Sequence, residues 1–283
     1  MRVVSVGHVT NDQLADAVYP GGAALYAGLA AAALGAEVTL LTRAGTDFVG
    51  RHLFEAFHHV HALPASRTTA FDERYVGEQR LVRLMDEAEP VDMPVPDAEV
   101  VLLCPVAREV PDAALAVRPT RLLAAGLQGW LRDFAADGLA TPRPLADASR
   151  FSGCHLVSCS EEDLRGLGPE TLAALRATVP VVAVTDGAAG ACLYSGARGW
   201  HVAALPVAAV DPTGAGDAFL ATLAVQLARG TPLLESARWA VCAGAIAVTC
   251  VGPTGLGGLA ALQEVLERYT REAPAPAAFT TAG

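Results

Sequence analysis

The sequence predicts an α/β protein with a mainly parallel central sheet and helices on both faces, a three-layer αβα arrangement. Short apolar runs recur along the chain, longer helical patterns alternate with them, and the last third turns almost wholly to Ala/Leu/Val helices. Val3 to Val6, Val38 to Leu41, Val100 to Leu103, Arg121 to Ala124, His155 to Ser158 and Val181 to Val184 read as buried strands. Helices are expected over 22–34, 48–58, 111–117 and 169–177, and again over 216–229, 232–249 and 257–270. One segment breaks the alternation. Residues 68–84 place aromatic and β-branched side chains around a charged middle with a glycine, the pattern of a solvent-facing hairpin inserted as a lid. Residues 1–273 then form one domain, with the lid drawn from about 10–20 and 67–85. A Pro/Ala tail over 274–283 is expected to lack structure.

With 283 residues, 52% of them hydrophobic, the chain has material for one large core. A net charge of −10 argues against a general nucleic-acid binder and against a protein held on anionic lipid. No secretory leader is recognisable, and the Ala/Leu-rich stretch from Ala23 to Leu34 is too short to span a bilayer. Six scattered cysteines without a C-x-x-C pair read as buried free thiols in a reducing compartment, so a cytoplasmic protein is expected.

The chemistry is concentrated in Val210-Asp211-Pro212-Thr213-Gly214-Ala215-Gly216-Asp217-Ala218-Phe219. Two glycines around an alanine let the backbone turn tightly, so that successive amides point into one concavity at the mouth of a helix. Such a nest, with the helix dipole behind it, stabilises phosphate charge. Asp217 stands in the first helical turn, where a carboxylate can take the proton of an attacking hydroxyl. The plainer alternative is a helix start with glycines for close packing.

The extended string resembles the C-terminal signature of the ribokinase-like (PfkB) carbohydrate kinases, and the likeness covers nearly the whole chain. Gly7 followed by Asp12 resembles the family's substrate-binding start, and Pro20-Gly21-Gly22 its di-glycine hinge. Thr42 to Asp47 is similar to its G-x-D turn. Val184 to Gly190 is similar to its nucleotide-side T-x-G-x-x-G segment, and Trp239 to Gly252 to the wall of its adenine and cation pocket. The resemblance implies a Rossmann-like, ribokinase-type fold and ATP- and Mg²⁺-dependent phosphorylation of a small sugar, inositol or polyol. Asp217 would be the base, and Gly214, Ala215 and Gly216 the anion hole. Asp12, Gly21, Gly22, Tyr26 and Arg132 would meet the acceptor, and Thr185, Gly187, Gly190, Thr213, Ala243 and Ala247 the nucleotide. Asp211 and Thr213 would help bind a monovalent cation, K⁺. In the family such lids often pair into a homodimer.

Two positions depart from the family pattern. Tyr26 stands where an asparagine usually contacts the sugar, so it either stacks on the acceptor or packs on the helix face. The N-x-x-E motif that organises magnesium reads Ser160-Glu161-Glu162-Asp163, leaving Glu162 and Asp163 as metal candidates or as plain first-turn acids behind an N-cap serine. This version, with Leu127 to Arg132, resembles the inositol-kinase-like and uncharacterised branches more than ribokinase itself. Arg132 points to substrate or phosphate, or is a surface arginine.

There is no Walker loop and no protein-kinase motif set, and His58, His59 and His61 lack further ligands at metal spacing. Arg74, Arg80 and Arg83 read as a solvated lid face. A nucleoside kinase shares every motif above, and a non-catalytic sugar- or nucleotide-binding relative is the other alternative.

Overall fold

The structure, a computed structural model, describes residues 1–76 and 79–280. Residues 77 and 78, at the tip of the expected lid, and 281–283, at the end of the expected tail, lie outside it.

The six apolar runs read as buried strands form β1 (Arg2–Val6), β4 (Glu37–Ala44), β8 (Val100–Leu103), β9 (Leu122–Gly126), β12 (Leu156–Ser160) and β13 (Val181–Thr185). They sit in one ten-stranded sheet with β5 (His59–Pro64), β14 (Ala191–Ser195), β15 (Arg198–Val202) and β16 (Ala277–Thr280). The order is β16-β15-β14-β13-β12-β9-β8-β1-β4-β5. Pairing is parallel from β5 through to β13 and antiparallel from β13 to β16.

Alternation along each central strand sorts the core into two layers. Val3, Leu40, Leu102, Ala124 and Leu156 face α1 (Ala23–Ala33), α4 (Ala215–Ala228), α5 (Leu233–Ala247) and α6 (Leu262–Glu272). Val4, Leu41, Leu103, Ala125 and Val157 face the other way, onto Trp130, Phe151 and Leu175. Only α2 (Glu161–Leu164) and α3 (Pro169–Thr178) are α-helical on that side among the described residues. The helices expected over 48–58 and 111–117 are instead 3₁₀ turns at Arg51–Ala56 and Asp112–Ala116. The first buries none of its residues and the second only Leu115, so neither has an apolar face to hold α-helical turns. The last helix begins at Leu262, because Gly252–Ala261, with three glycines after the first, is a 3₁₀ stretch.

A second sheet of four strands stands off this body. Its order is β3 (Ala17–Gly21), β2 (Thr10–Leu14), β6 (Thr69–Val76), β7 (Gln79–Asp86). Its root is pinned by His8, whose ring Nδ1 lies 2.8 Å from Thr69 Oγ1 while its amide donates to the buried Glu109 carboxylate at 2.8 Å. A hairpin of β10 (Arg132–Phe134) and β11 (Ala140–Pro142) leans on β7, with the Leu84 amide donating to Gly138 O at 2.9 Å.

The chain end corrects the expectation of an unstructured tail as far as Thr280. β16 pairs with β15, and the Phe279 ring meets Tyr194 edge-on at 5.8 Å. Four cysteines are buried as expected, but Cys250 is exposed. No helix among the described residues is long and apolar enough to cross a membrane.

Candidate active site

The turn before α4 is fixed by contacts from two sides. Asp211 is 6% exposed and has both carboxylate oxygens engaged: Oδ1 accepts the Thr213 amide at 2.9 Å, Oδ2 the Gly252 amide at 2.8 Å. Gly214 then caps the helix at φ +78°, a left-handed conformation in which a β-carbon is strained. A β-carbon there would also overlap the ring of Tyr26. At Gly216, by contrast, a β-carbon would meet open space. The Ala215 amide turns back to Pro212 O at 3.3 Å and that of Ala218 bonds Gly214 O at 2.9 Å, which leaves the Gly216 and Asp217 amides at the mouth of the helix open to an anion.

Asp217 follows in that first turn, half-buried. Burial pushes its carboxyl up to about 7; the Asp163 carboxylate adds to the rise, and Arg132 and Arg80 oppose it.

Across the cleft, Asp12 projects from β2 and is 5% exposed. Burial pushes it up to about 7 as well, with Glu73 the next cause. Its Oδ1 is buried with no hydrogen-bond partner among the described residues. Gly21 and Gly22 let the backbone pass this close: a β-carbon at 21 would overlap the Asp12 carboxylate, and one at 22 the His8 carbonyl. Tyr26, 2% exposed on α1, lies between the two acids. Burial, then Asp12, Asp211 and Asp217, pushes its phenol far above the ordinary range. The alternatives left open for Tyr26 therefore merge, since it packs as a core residue and yet faces the acids of the cleft.

Arg132 is no loop-end surface arginine. Its guanidinium, with a side chain 14% exposed, pairs with Asp163 at 2.9 Å. Asp163 also closes a capping box, its Oδ2 accepting Ser160 N at 3.0 Å and Ser160 Oγ at 2.8 Å. Of the three metal candidates, Asp163 and Asp211 thus have their oxygens committed to protein donors, and Glu162 is exposed. No three His, Cys, Asp or Glu side chains are grouped as a metal site among the described residues. The donors on Asp163 leave it suited to an outer, water-mediated contact with Mg²⁺ rather than to a direct bond. Each Asp211 oxygen accepts a single amide, which leaves lone pairs that would suit a K⁺ ion.

On the nucleotide side, Thr185 ends β13 with its hydroxyl toward Cys159 O at 3.4 Å. Gly187 and Gly190 turn there at φ +47° and +106°. Ala243 and Ala247, expected to line the nucleotide, are 0% and 1% exposed and belong to the core. The face of α5 that meets the turn is one residue further on, at Gly244, where a β-carbon would lie 3.3 Å from Ala215 O.

Sequence reasoning missed Glu73, and it left open which of Arg74, Arg80 and Arg83 a lid closing over a phosphorylated product could use; the inward one is Arg80. Glu73 and Arg80 pair at 2.6 Å on the lid. Their alternation with Phe71 and Val82 was the available signal, readable only with the hairpin register in hand.

These features define a phosphotransferase cleft: an open helix mouth and an acid on one wall, a second acid on a lid. Residues 137–256 match the model of the pfkB family carbohydrate kinases. The chain is 32% identical to an inositol 3-kinase of Zea mays, over 92% of this chain and 70% of that protein. To one of Oryza sativa subsp. japonica it is 30% identical, over 89% and 68%. Among solved structures, a pyrophosphate-dependent kinase of the ribokinase family, complexed with a pyrophosphate analog and myo-inositol, superposes with a TM-score of 0.79. The identity is 20%, over 92% of this chain and 99% of that one. Arabidopsis thaliana ribokinase with ribose and ATP gives 0.71 at 21%, over 94% and 98%. At those identities the structures speak to fold alone.

The chain belongs to the pfkB family of carbohydrate kinases. It is a kinase that transfers phosphate to a hydroxyl of a sugar or polyol.

Proposed function

We propose that the protein phosphorylates one hydroxyl of a small cyclitol or sugar-like polyol from ATP, with Asp217 as general base. The observation that carries this is a half-buried Asp217 beside the open helix mouth at Gly216. The acceptor hydroxyl gives its proton to Asp217 and attacks the terminal phosphorus. The amides of Gly214 and Gly216 receive the negative charge that gathers on the transferring group, joined by that of Ala215 once it leaves Pro212 O. Asp12 accepts hydrogen bonds from neighbouring hydroxyls of the same molecule, holding the reacting one in line. The lid excludes water, the competing acceptor. Magnesium carried on the donor's phosphates supplies charge neutralisation, with the exposed Glu162 the carboxylate that could meet its waters.

A cyclitol acceptor rests on the two plant relatives, both inositol 3-kinases. A nucleoside acceptor is the second reading, favoured by the Phe71 and Phe134 rings 6.0 Å apart under the lid. A non-catalytic role is disfavoured by the retained Asp217 and its cradle.

The test is a coupled ADP-release assay over pentoses, hexoses, inositols and nucleosides, with pyrophosphate run separately as donor. Asp217→Asn should lower kcat by about 10³-fold or more while leaving ATP affinity within about threefold. Full activity in that variant would remove the base from the mechanism.

A further inference from the structure

The strands of the lid sheet carry three arginines, and the fold treats them differently. Facing residues on paired strands share a side of the sheet, and side chains alternate along each strand. Asp12 faces Phe71 across β2 and β6, and Phe71 and Glu73 face Leu84 and Val82 across β6 and β7. Asp12, Phe71, Glu73, Arg80, Val82 and Leu84 therefore share one side. It is the side turned to the cleft, since Asp12, Phe71, Glu73 and Val82 are all buried. Arg74 and Arg83 are on the opposite side, paired with Asp72 at 2.8 Å and Asp137 at 3.0 Å.

Arg80 is thus the lid cation turned toward the acceptor, and Glu73 holds it. The guanidinium donates to Glu73 Oε2 through Nε at 3.0 Å and Nη2 at 2.6 Å, with the two side chains 18% and 6% exposed. On the opposite wall Asp163 holds Arg132 in the same way at 2.9 Å. Counted pairwise, the two arginines are each cancelled by a carboxylate. The acids left over are Asp12, with an unpartnered buried oxygen, Asp217, and Asp211, which is satisfied by backbone amides.

We propose that the Glu73–Arg80 pair on the inner face of the lid makes this an acceptor site for uncharged polyols and excludes sugars that already carry a phosphate. The inference rests on the acceptor placement given under the proposed function, between Asp12 and Asp217, and adds the class of molecule that fits there. A phosphate ester carries a charge of about −1.5 to −2 at neutral pH. In this pocket it would meet Asp12 and Glu73 with the nearest lid guanidinium already occupied, so it binds only by breaking a buried ion pair and leaving Glu73 uncompensated. An uncharged polyol pays neither cost. Its hydroxyls are donors, and Asp12 Oδ1 is an acceptor without one. Discrimination of this kind works by repulsion as much as by fit.

The experiment measures acceptor binding without donor, by calorimetry and thermal shift on the full chain. It uses matched pairs: myo-inositol against myo-inositol 1-phosphate, and fructose against fructose 6-phosphate. The expected result is binding of at least one uncharged member, with its phosphate ester about 100-fold weaker or undetectable. Glu73→Gln, which keeps the shape and removes the charge opposite Arg80, should shift the affinity ratio toward the phosphate ester by about 10-fold or more. Glu73→Gln with Arg80→Gln should return the ratio toward that of the natural sequence. A phosphate ester binding the natural protein as tightly as its uncharged partner overturns the proposal, as does failure of every uncharged polyol and sugar to bind. If Glu73→Gln does not fold, as read by circular dichroism, the matched pairs on the natural sequence still decide. No donor is present, so loss of the Asp217 mechanism and loss of this selectivity are separate outcomes.

Discussion

On the floor of the cleft, Asp211 gives both carboxylate oxygens to backbone amides, and Asp163 gives one to the capping box and the other to Arg132. On the lid, Asp12 leaves an oxygen unpartnered and Glu73 is held by the side chain of Arg80. Both regions bury acids, and Asp217 and Asp12 are each raised to about 7, chiefly by burial. The difference is in what holds the neighbours. The backbone amides that hold Asp211 cannot swing away, so the turn leading to Asp217 is set by the fold. Side-chain pairing on the lid can be rewritten by one substitution. Chemistry belongs to the first region and choice of acceptor to the second.

The largest effect that would break this division comes from Gly214. A β-carbon there must survive both φ +78° and the Tyr26 ring, so Gly214→Ala should displace the turn that aims the helix amides. The expected result is a fall in kcat of about 100-fold or more, with a loss of stability of about 1–3 kcal/mol in denaturant titration. Near-normal kcat would show that the floor is not rigid.

Next in size is Asp12→Asn, a change confined to the lid. It removes a charge-assisted acceptor of substrate hydroxyls, so KM for the acceptor should rise about 10- to 100-fold while kcat moves much less and KM for ATP stays within about twofold. A fall in kcat equal to that of Asp217→Asn would mean that the two acids do one job, and the comparison would fail.

The two regions were also unequally legible in the sequence. The floor could be read because its determinants are local. Short apolar runs such as Val100 to Leu103 are buried on both faces, and Gly214 to Asp217 are consecutive. The lid strands were legible as a hairpin, but not which arginine turns inward, because that depends on register rather than composition. Arg132 and Asp163 are 31 residues apart, and nothing local announces their pairing. On α5, apolar residues run round the whole helix, so periodicity could not show that Gly244 rather than Ala243 faces the turn. The edge strand Ala277–Thr280 is exposed at every position and has no alternation to detect.

The smallest expected effect is a shift in pH dependence, and its sign distinguishes floor from lid. Asp217 must be ionised to act as base, so kcat/KM should fall as pH drops through about 7. Arg132 opposes the rise in the Asp217 carboxyl and Asp163 adds to it, although the two are paired with each other. Removing the cation with Arg132→Gln should therefore raise the carboxyl further and move the acid limb to higher pH. Removing the anion with Asp163→Asn should move it to lower pH, each by up to about one unit. Glu73→Gln should move the limb less than either floor substitution, since Glu73 reaches Asp217 only through its partner Arg80, the last of the influences on that carboxyl. Opposite displacements from the two halves of one floor ion pair, with a smaller one from the lid acid, cannot come from a general loss of structure. Parallel displacements would place the titrating group elsewhere.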